Sequence, residues 1–318
     1  MIVVTTPTGQ IGREVLDRLL DATGGTNAAG AGKSVREGAG AGAGASGAAG
    51  IRVIARDPAR LPAHVRENVE VVQGTHADPG TLKKACQGAD RVFWLVPPTP
   101  AVPSVEGHFR DFTEPLRAVT GAQGLGVERV VGVSTLGRGV AKNAGIISAS
   151  LAMDEAIAEM GVHYRALCAP FLMENLLGQT GLIRDAGLLA LPGNGVLRTC
   201  TTRDIAAMAV RLLLDDSWTG CEDVPLAGPD DLSPEDMVRI VSEVLDRPVR
   251  LQPVDGPAYR AQLLGAGASE NWARGAADMM AALNEQGFYG AAQPSTPDAT
   301  PTGFRQWCEE VLKPAVLG

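Results

Sequence analysis

Aromatic residues are scarce in this chain. Trp, Tyr and Phe make up 4% of its 318 residues, so the interior has to be built from Ala, Val, Leu and Ile. Cysteines are few and scattered: Cys86, Cys168, Cys200, Cys221 and Cys308 are odd in number and form no C-x-x-C pair. That argues against a disulfide framework or a zinc site and fits reduced thiols. The four histidines, His64, His76, His108 and His163, show no metal-ligand spacing, so no metal is expected. No basic block stands out and the net charge is −8, which argues against nucleic-acid and anionic-membrane partners. No apolar run reaches the length of a membrane span, and no charged and apolar leader precedes the first strand, so a cytoplasmic protein is expected. There is no G-x-S-x-G elbow, and Asp215-Asp216 and Asp230-Asp231 read as solvated loop pairs, not paired catalytic carboxylates.

What is present is a globular composition, 45% hydrophobic and 20% charged. Strand and helix patterns alternate along it. Apolar β-branched runs at Ile2–Val4, 51–55, 69–72, 91–96, 129–134 and 164–168 read as strands, the fourth of them stopped by Pro97-Pro98. Amphipathic runs from Val15 to Leu20, at 81–87, 105–123 and 148–160 read as helices between them. Such alternation predicts an α/β fold, a doubly wound parallel sheet of Rossmann type. Its domain is expected to span 1–175. Residues 24–50 are dominated by Ala and Gly without apolar periodicity and read as a flexible insertion. Residues 176–318 are expected to form a smaller α+β part that covers the substrate and is free to return a strand to the sheet. There, 225–229 reads as a short strand and turn, Ser233-Pro234 as the start of a helix running to about Leu245, and 249–251 as a strand. Residues 257–287 read as helical, 294–301 as a Pro/Thr-rich linker and 304–312 as a last helix.

The most informative stretch is Met1 to Gly12. An apolar run ends in a turn, and Gly9 and Gly12 lead into the amphipathic run from Val15 to Leu20. Strand, glycine turn and helix in this order let backbone N–H groups approach a phosphate and aim a helix N-terminus at it. Arg56 follows the second strand, where an acidic residue would accept from a ribose 2′-OH and favour NAD. An arginine can instead pair with a 2′-phosphate and favour NADP. Arg56 lies much farther from Gly12 than the usual separation of about 20 residues, and discounting the Ala/Gly insertion brings it close to that. His76, near a strand end, is a candidate lining of the adenine pocket. Val96 and Pro97 sit at the carboxyl end of the fourth strand, and Ser134 and Thr135 close the fifth. A hydroxyl at that edge can bond a substrate carbonyl or a nicotinamide amide.

These residues resemble those of the NmrA-like proteins, the atypical short-chain dehydrogenase/reductases. Thr6-Pro7-Thr8-Gly9-Gln10-Ile11-Gly12 is similar to the family's phosphate turn, with Thr6 where the first glycine would stand. Val53 to Pro58 looks like its second strand with the NADP-selecting arginine, and Val133-Ser134-Thr135 like its fifth strand end. Gly161 to Arg165 and Pro170 to Asn175 look like a further family segment, and Ala227-Gly228-Pro229 with Pro248-Val249 like its C-terminal part. The resemblance implies NADP(H) as cofactor, bound by Thr6, Thr8, Gly9, Gln10, Ile11, Gly12, Arg56, His76, Val96, Pro97, Ser134 and Pro170. Thr75 stands where many relatives carry Asp.

The largest departure from ordinary reductases is chemical. They use Ser with Tyr-x-x-x-Lys as the proton relay, and no Tyr-x-x-x-Lys occurs between Ser134 and Pro170. Tyr164 lies in a strand and is expected to pack. Lys142 and Asn143 are the polar candidates in the loop after the fifth strand. The reading is an NADPH-dependent oxidoreductase passing hydride to a small apolar conjugated acceptor such as a quinone, enone, ketone or imine. Ser134 and Lys142 would polarise the acceptor, and Phe171, Met173 and Asn175 would wall its pocket. The alternative is a non-catalytic NADP(H)-binding redox sensor acting through a protein partner. Small-molecule substrate, no nucleic acid, no membrane and a monomer or homodimer complete the expectation.

Overall fold

The computed structural model describes residues 1–24, 50–120, 124–192, 195–287 and 299–318. The Ala/Gly insertion and most of the Pro/Thr-rich linker lie outside the described residues. The first half runs β1 (Ile2–Val4), α1 (Gln10–Thr23), β2 (Ile51–Ala55), α2 (Ala63–Asn68), β3 (Glu70–Gln73), α3 (Pro79–Cys86), β4 (Arg91–Trp94), α4 (Val105–Thr113), β5 (Arg129–Thr135), α5 (Ile146–Ala158) and β6 (His163–Ala169). The second half runs β7 (Phe171–Leu172), α6 (Thr180–Ala186), β8 (Leu188–Pro192), β9 (Thr199–Cys200), α7 (Thr202–Leu214), β10 (Cys221–Pro225), α8 (Pro234–Leu245), β11 (Arg250–Val254), α9 (Gly256–Gly265) and α10 (Glu270–Gln286). A last helical stretch follows, with Cys308–Leu312 forming a π turn between Phe304–Trp307 and Lys313–Leu317.

Seven parallel strands form one sheet in the order β10-β6-β5-β4-β1-β2-β3. The order reverses between β1 and β4, and in open α/β sheets the crevice beyond the carboxyl ends at such a switch is where ligands bind. Strand alternation feeds two cores. Ile2, Val4, Val53, Phe93 and Leu167 face Leu16 and Leu19 of α1 and Ala206 and Ala209 of α7. Val3, Ile54, Trp94, Val130 and Ala166 face Leu82 of α3 and Ile147, Leu151 and Ile157 of α5. With so few aromatics, Phe93 and Trp94 are spent at the sheet centre, fully buried on opposite faces. A third core, around Met173, Leu189, Met237, Val241, Phe304 and Trp307, belongs to the C-terminal part, whose strands β8 and β11 pair with each other.

Three elements differ from the sequence reading. The helix expected over 105–123 ends at Thr113, and a 3₁₀ turn at Glu114–Ala118 replaces it because Pro115 has no N–H to continue the ladder; 121–123 lie outside the described residues. The stretch 257–287 is two helices, broken where Gly267 takes φ +88° and restarted by Ser269 as N-cap to Trp272. The strand near 225–229 is Cys221–Pro225, which pairs with β6 and ends at the proline.

Candidate active site

The loop after β1 and the loop after β4 flank the switch-point crevice, and Thr5 ties them together. Its hydroxyl donates to the Phe93 carbonyl at 2.9 Å and accepts from the Leu95 N–H at 3.1 Å. The next residue, Thr6, takes φ +51°, a left-handed conformation that favours glycine, and its Oγ1 is buried without a partner. This is the position where the fingerprint would carry glycine, and the backbone adopts a glycine-like conformation despite the side chain. Gly9 is the N-cap of α1, bonded through its N–H to the Thr6 carbonyl at 3.0 Å. No side chain caps α1 and no acid stands in its first turn. Thr8, Gly9 and Gln10 are exposed, while Ile11 and Gly12 are buried. Gly12 is required sterically, since a Cβ there would lie 2.1 Å from the Thr6 carbonyl oxygen. A helix N-terminus uncapped by any side chain and kept close to its turn by a glycine is chemically suited to a pyrophosphate.

Arg56, directly after β2, is exposed, and among the described residues its guanidinium makes no ion pair. Its carbonyl accepts weakly from Gln73 Nε2 at 3.5 Å. Thr75 is half-buried and its hydroxyl accepts from the Ala77 N–H at 3.3 Å, forming a local turn.

His76 differs from the expectation. Its ring is buried against Trp94 and Phe112, with centroids 4.9 and 4.6 Å away, and Nε2 lies 3.0 Å from the Leu95 carbonyl. A carbonyl can only accept, so Nε2 carries the proton. Burial pushes the His76 pKa down to about 4, and the Arg56 and His108 charges push the same way against the Leu95 hydrogen bond. The residue is a neutral strut under the β4 exit, not an open face for adenine. His108 acts alongside it, its Nε2 2.9 Å from the Pro97 carbonyl. Val96 and Pro97 are half-buried on the loop these two histidines hold.

At the end of β5, Ser134 is 7% exposed and its hydroxyl donates to Asp154 Oδ2 on α5. Tyr164 OH donates to the other oxygen, Oδ1, at 2.5 Å. Arg138 Nη2 reaches Oδ2 at 3.0 Å, and its Nε reaches Asp223 Oδ2 on β10 at 2.6 Å. Gly132 leaves the space the Tyr164 hydroxyl fills, since a Cβ there would stand 2.5 Å from it. Burial pushes Asp154 up to about 6 despite the Ser134 and Tyr164 hydrogen bonds and the Arg138 charge, which all pull it down. The tyrosine is pushed well above the usual phenol range, first by burial and then by the Asp154 charge. Sequence reasoning missed Asp154 and Arg138. The signal available was the acid at position 154, which unlike its exposed neighbour Glu155 falls on the helix face of Ile147, Ser150, Leu151 and Ile157.

Lys142 is exposed in the loop between β5 and α5. Gln286 at the end of α10 fixes that loop, accepting from the Lys142 N–H at 2.9 Å and donating to its carbonyl at 2.8 Å. No hydrogen bond joins Lys142 to Ser134 among the described residues. Pro170 is buried at the exit of β6, and Phe171 is half-buried between the sheet core and the C-terminal core. Asn175 is exposed. Met173, expected at the pocket wall, is fully buried in the C-terminal core against the apolar side chains there.

A Rossmann-type sheet with a glycine-dependent turn at its switch point defines the class of dinucleotide-binding proteins. The chain belongs to the NAD(P)H-binding family, of the NmrA-like, atypical short-chain dehydrogenase/reductase type, whose profile matches residues 42–216. It is 29% identical over 266 residues, 83% of this chain and 80% of the relative, to a (4-alkanoyl-5-oxo-2,5-dihydrofuran-3-yl)methyl phosphate reductase of Streptomyces griseus. It is 28% identical over 225 residues, 70% of this chain and 74% of the relative, to an NAD(P)H azoreductase of Xenophilus azovorans. Among solved structures, the NADPH complex of an NADPH-dependent quinone oxidoreductase from Escherichia coli superposes with a TM-score of 0.74 at 19% identity, covering 98% of this chain and 100% of that one. The NADP(H) complex of a triphenylmethane reductase from Citrobacter sp. gives 0.68 at 18% identity, covering 100% and 99%. At these identities the structural likenesses speak for the fold. No helix among the described residues is long and apolar enough to cross a membrane, and none of their His, Cys, Asp and Glu side chains cluster as a metal site.

Proposed function

We propose that the protein is an NADPH-dependent reductase that passes hydride to a small, apolar, conjugated acceptor such as a quinone, enone, ketone or imine. The observation that carries the reading is the turn from Thr6 to Gly12, with Thr8, Gly9 and Gln10 exposed and the first turn of α1 uncapped by any side chain, followed at the tip of β2 by the guanidinium of Arg56, which makes no ion pair among the described residues. The turn receives the pyrophosphate, and Arg56 receives the 2′-phosphate through its planar fork. Val96, Pro97 and Pro170 line the path of the cofactor across the crevice, and Ser134 stands where the path reaches the acceptor. Phe171 and Asn175 face the acceptor from the C-terminal side.

The nicotinamide supplies the hydride, and the chain supplies orientation and a hydrogen bond. Tyr164, the one tyrosine between Ser134 and Pro170, is a strand residue bonded to Asp154, so it cannot act as the acid of a Tyr-x-x-x-Lys relay. Acceptors whose developing negative charge is delocalised need least acid catalysis, which favours conjugated ones. Both curated relatives are named for conjugated compounds, an oxo-dihydrofuran and azo compounds, and this supports the same class here.

The test is purified protein with NADPH and a panel of quinones, enones and cyclic imines, followed by loss of reduced nicotinamide absorbance. Oxidation above background with at least one acceptor is expected. Tight NADPH binding with no oxidation by any of them would overturn the reading and leave the redox sensor.

A further inference from the structure

We propose that Asp154 is a positioning residue for the reduction, one that sets whether the Ser134 hydroxyl accepts or donates a hydrogen bond at the carboxyl edge of β5. The inference rests on the reading of Ser134 as the hydroxyl that meets the acceptor.

The carboxylate ties α5 to β5 and β6, and it does so at the desolvation cost of a buried charge. Asp154 is 1% exposed in the middle of α5, on the buried helix face of Ile147, Leu151 and Ile157, where an apolar residue would pack without a desolvation cost. It caps no helix and pairs no strands. Its oxygens are instead divided between two hydroxyls and a guanidinium. Tyr164 donates to Oδ1, while Ser134 and Arg138 both donate to Oδ2. The groups facing it are Ser134 on β5, Tyr164 and Cys168 on β6, Arg138 on the loop after β5, and Asp223 on β10 behind Arg138. Arg138 is shared with Asp223, so its charge is not wholly given to Asp154.

The consequence follows from the number of protons on a hydroxyl. Ser134 has one. While Asp154 is ionised, that proton is committed to Oδ2, and towards the crevice Ser134 offers only lone pairs. A carbonyl oxygen there finds no donor. When Oδ2 carries a proton the bond reverses: Asp154 donates to Ser134 Oγ, and the serine proton is free to point at the acceptor. The step then balances. The acceptor gains a hydride from the reduced nicotinamide and a proton from Ser134 Oγ, and Ser134 takes the Asp154 proton. The resulting carboxylate is held by Tyr164 and Arg138, and it regains its proton from water through Ser134 after the product leaves. Burial places this titration near 6, so both states are accessible around neutral pH.

The test is the pH dependence of kcat with NADPH and either 2-cyclohexenone or 1,4-naphthoquinone, whichever is turned over. The wild-type kcat should fall as pH rises through about 6. Asp154→Asn, whose amide donates to Ser134 at every pH, should lose that limb. Tyr164→Phe removes a donor to the carboxylate and should move the limb up by roughly one pH unit, which keeps the test alive should Asp154→Asn fold poorly. NADPH affinity should be unchanged in both. The proposal is overturned if Asp154→Asn keeps the wild-type limb or if Tyr164→Phe leaves its midpoint in place. Ser134→Ala separates the two layers of the argument. A kcat loss on the order of a hundredfold supports the serine as the contact, whereas full activity removes the reading beneath the proposal. Absence of turnover with either acceptor also removes it.

Discussion

Gly12 lies directly against the carbonyl of Thr6: a Cβ built on it would stand 2.1 Å from that oxygen and 3.2 Å from the Thr5 carbonyl oxygen. Gly12→Ala therefore has to push α1 away from the turn. A loss of about 1–3 kcal/mol of stability and at least a tenfold loss of NADPH affinity are expected, read by denaturant unfolding and calorimetry. Gly9→Ala is the contrast. Gly9 has φ −81°, and its nearest neighbour to an added Cβ is 3.4 Å away, so the fold tolerates it. The residue is exposed at the N-cap of α1, where a phosphate would approach the first turn of the helix. Affinity should drop while stability stays within about 1 kcal/mol of wild type. Equal affinity for both variants and wild type would remove the turn from the cofactor site.

Thr6→Gly should go the other way. A threonine at φ +51° carries about 1–2 kcal/mol of backbone strain, and its buried hydroxyl has no partner. Glycine removes both at an entropic cost of roughly 0.5–1 kcal/mol. Thr6→Gly is expected to raise stability by about 1 kcal/mol with NADPH binding retained. A destabilised variant would show that the threonine side chain has a packing role that outweighs its strain.

Much of this was legible in the sequence because the strands at 51–55, 91–94 and 129–135 are dominated by apolar and β-branched residues, as buried parallel strands are. Arg56 could be placed because its position is fixed by the end of a strand, not by packing. What escaped was set by tertiary context. The helix α7, which covers α1, is rich in alanine and reads weakly, although Thr201 capping Asp204 ahead of Ile205, Ala209 and Leu213 marks its start. Met173 is one residue in a short irregular segment, and only the three-dimensional arrangement shows it pointing into the C-terminal core. The partners of Asp154 come from 16 and 20 residues upstream and 10 downstream, a constellation no local window contains.

Arg56 decides the choice between the two nicotinamide cofactors if its guanidinium, which makes no ion pair among the described residues, meets the 2′-phosphate. Arg56→Ala should weaken NADPH by roughly 10–100-fold, as expected for losing a charge-assisted bidentate contact, and leave NADH nearly unchanged. Fluorescence titration with each dinucleotide measures the difference. Equal losses for both would mean that Arg56 does not contact the 2′-phosphate.

His76 and Asp154 make opposite demands on pH, and their effects on stability should cancel. The histidine has its folded pKa lowered from 6.5 to about 4, so its contribution is fully present above 6.5 and is lost as pH falls towards 4; it is worth roughly 3 kcal/mol. The aspartate has its folded pKa raised from 3.8 to about 6, so its contribution is fully present below 3.8 and is lost as pH rises through 6, again roughly 3 kcal/mol. Between about pH 4 and 6 the unfolded chain holds the extra proton at His76 and the folded chain holds it at Asp154, so the two slopes nearly offset. Removing either group should expose the other. Relative to wild type, His76→Asn should lose stability, and Asp154→Asn gain it, on going from about pH 4.5 to about pH 6.5, each by around 2–3 kcal/mol. Urea unfolding at the two pH values measures this. If both variants follow the wild-type pH dependence, neither group is held in the protonation state its surroundings dictate, and the neutral strut under the β4 exit and the protonatable carboxylate behind Ser134 would both have to be abandoned.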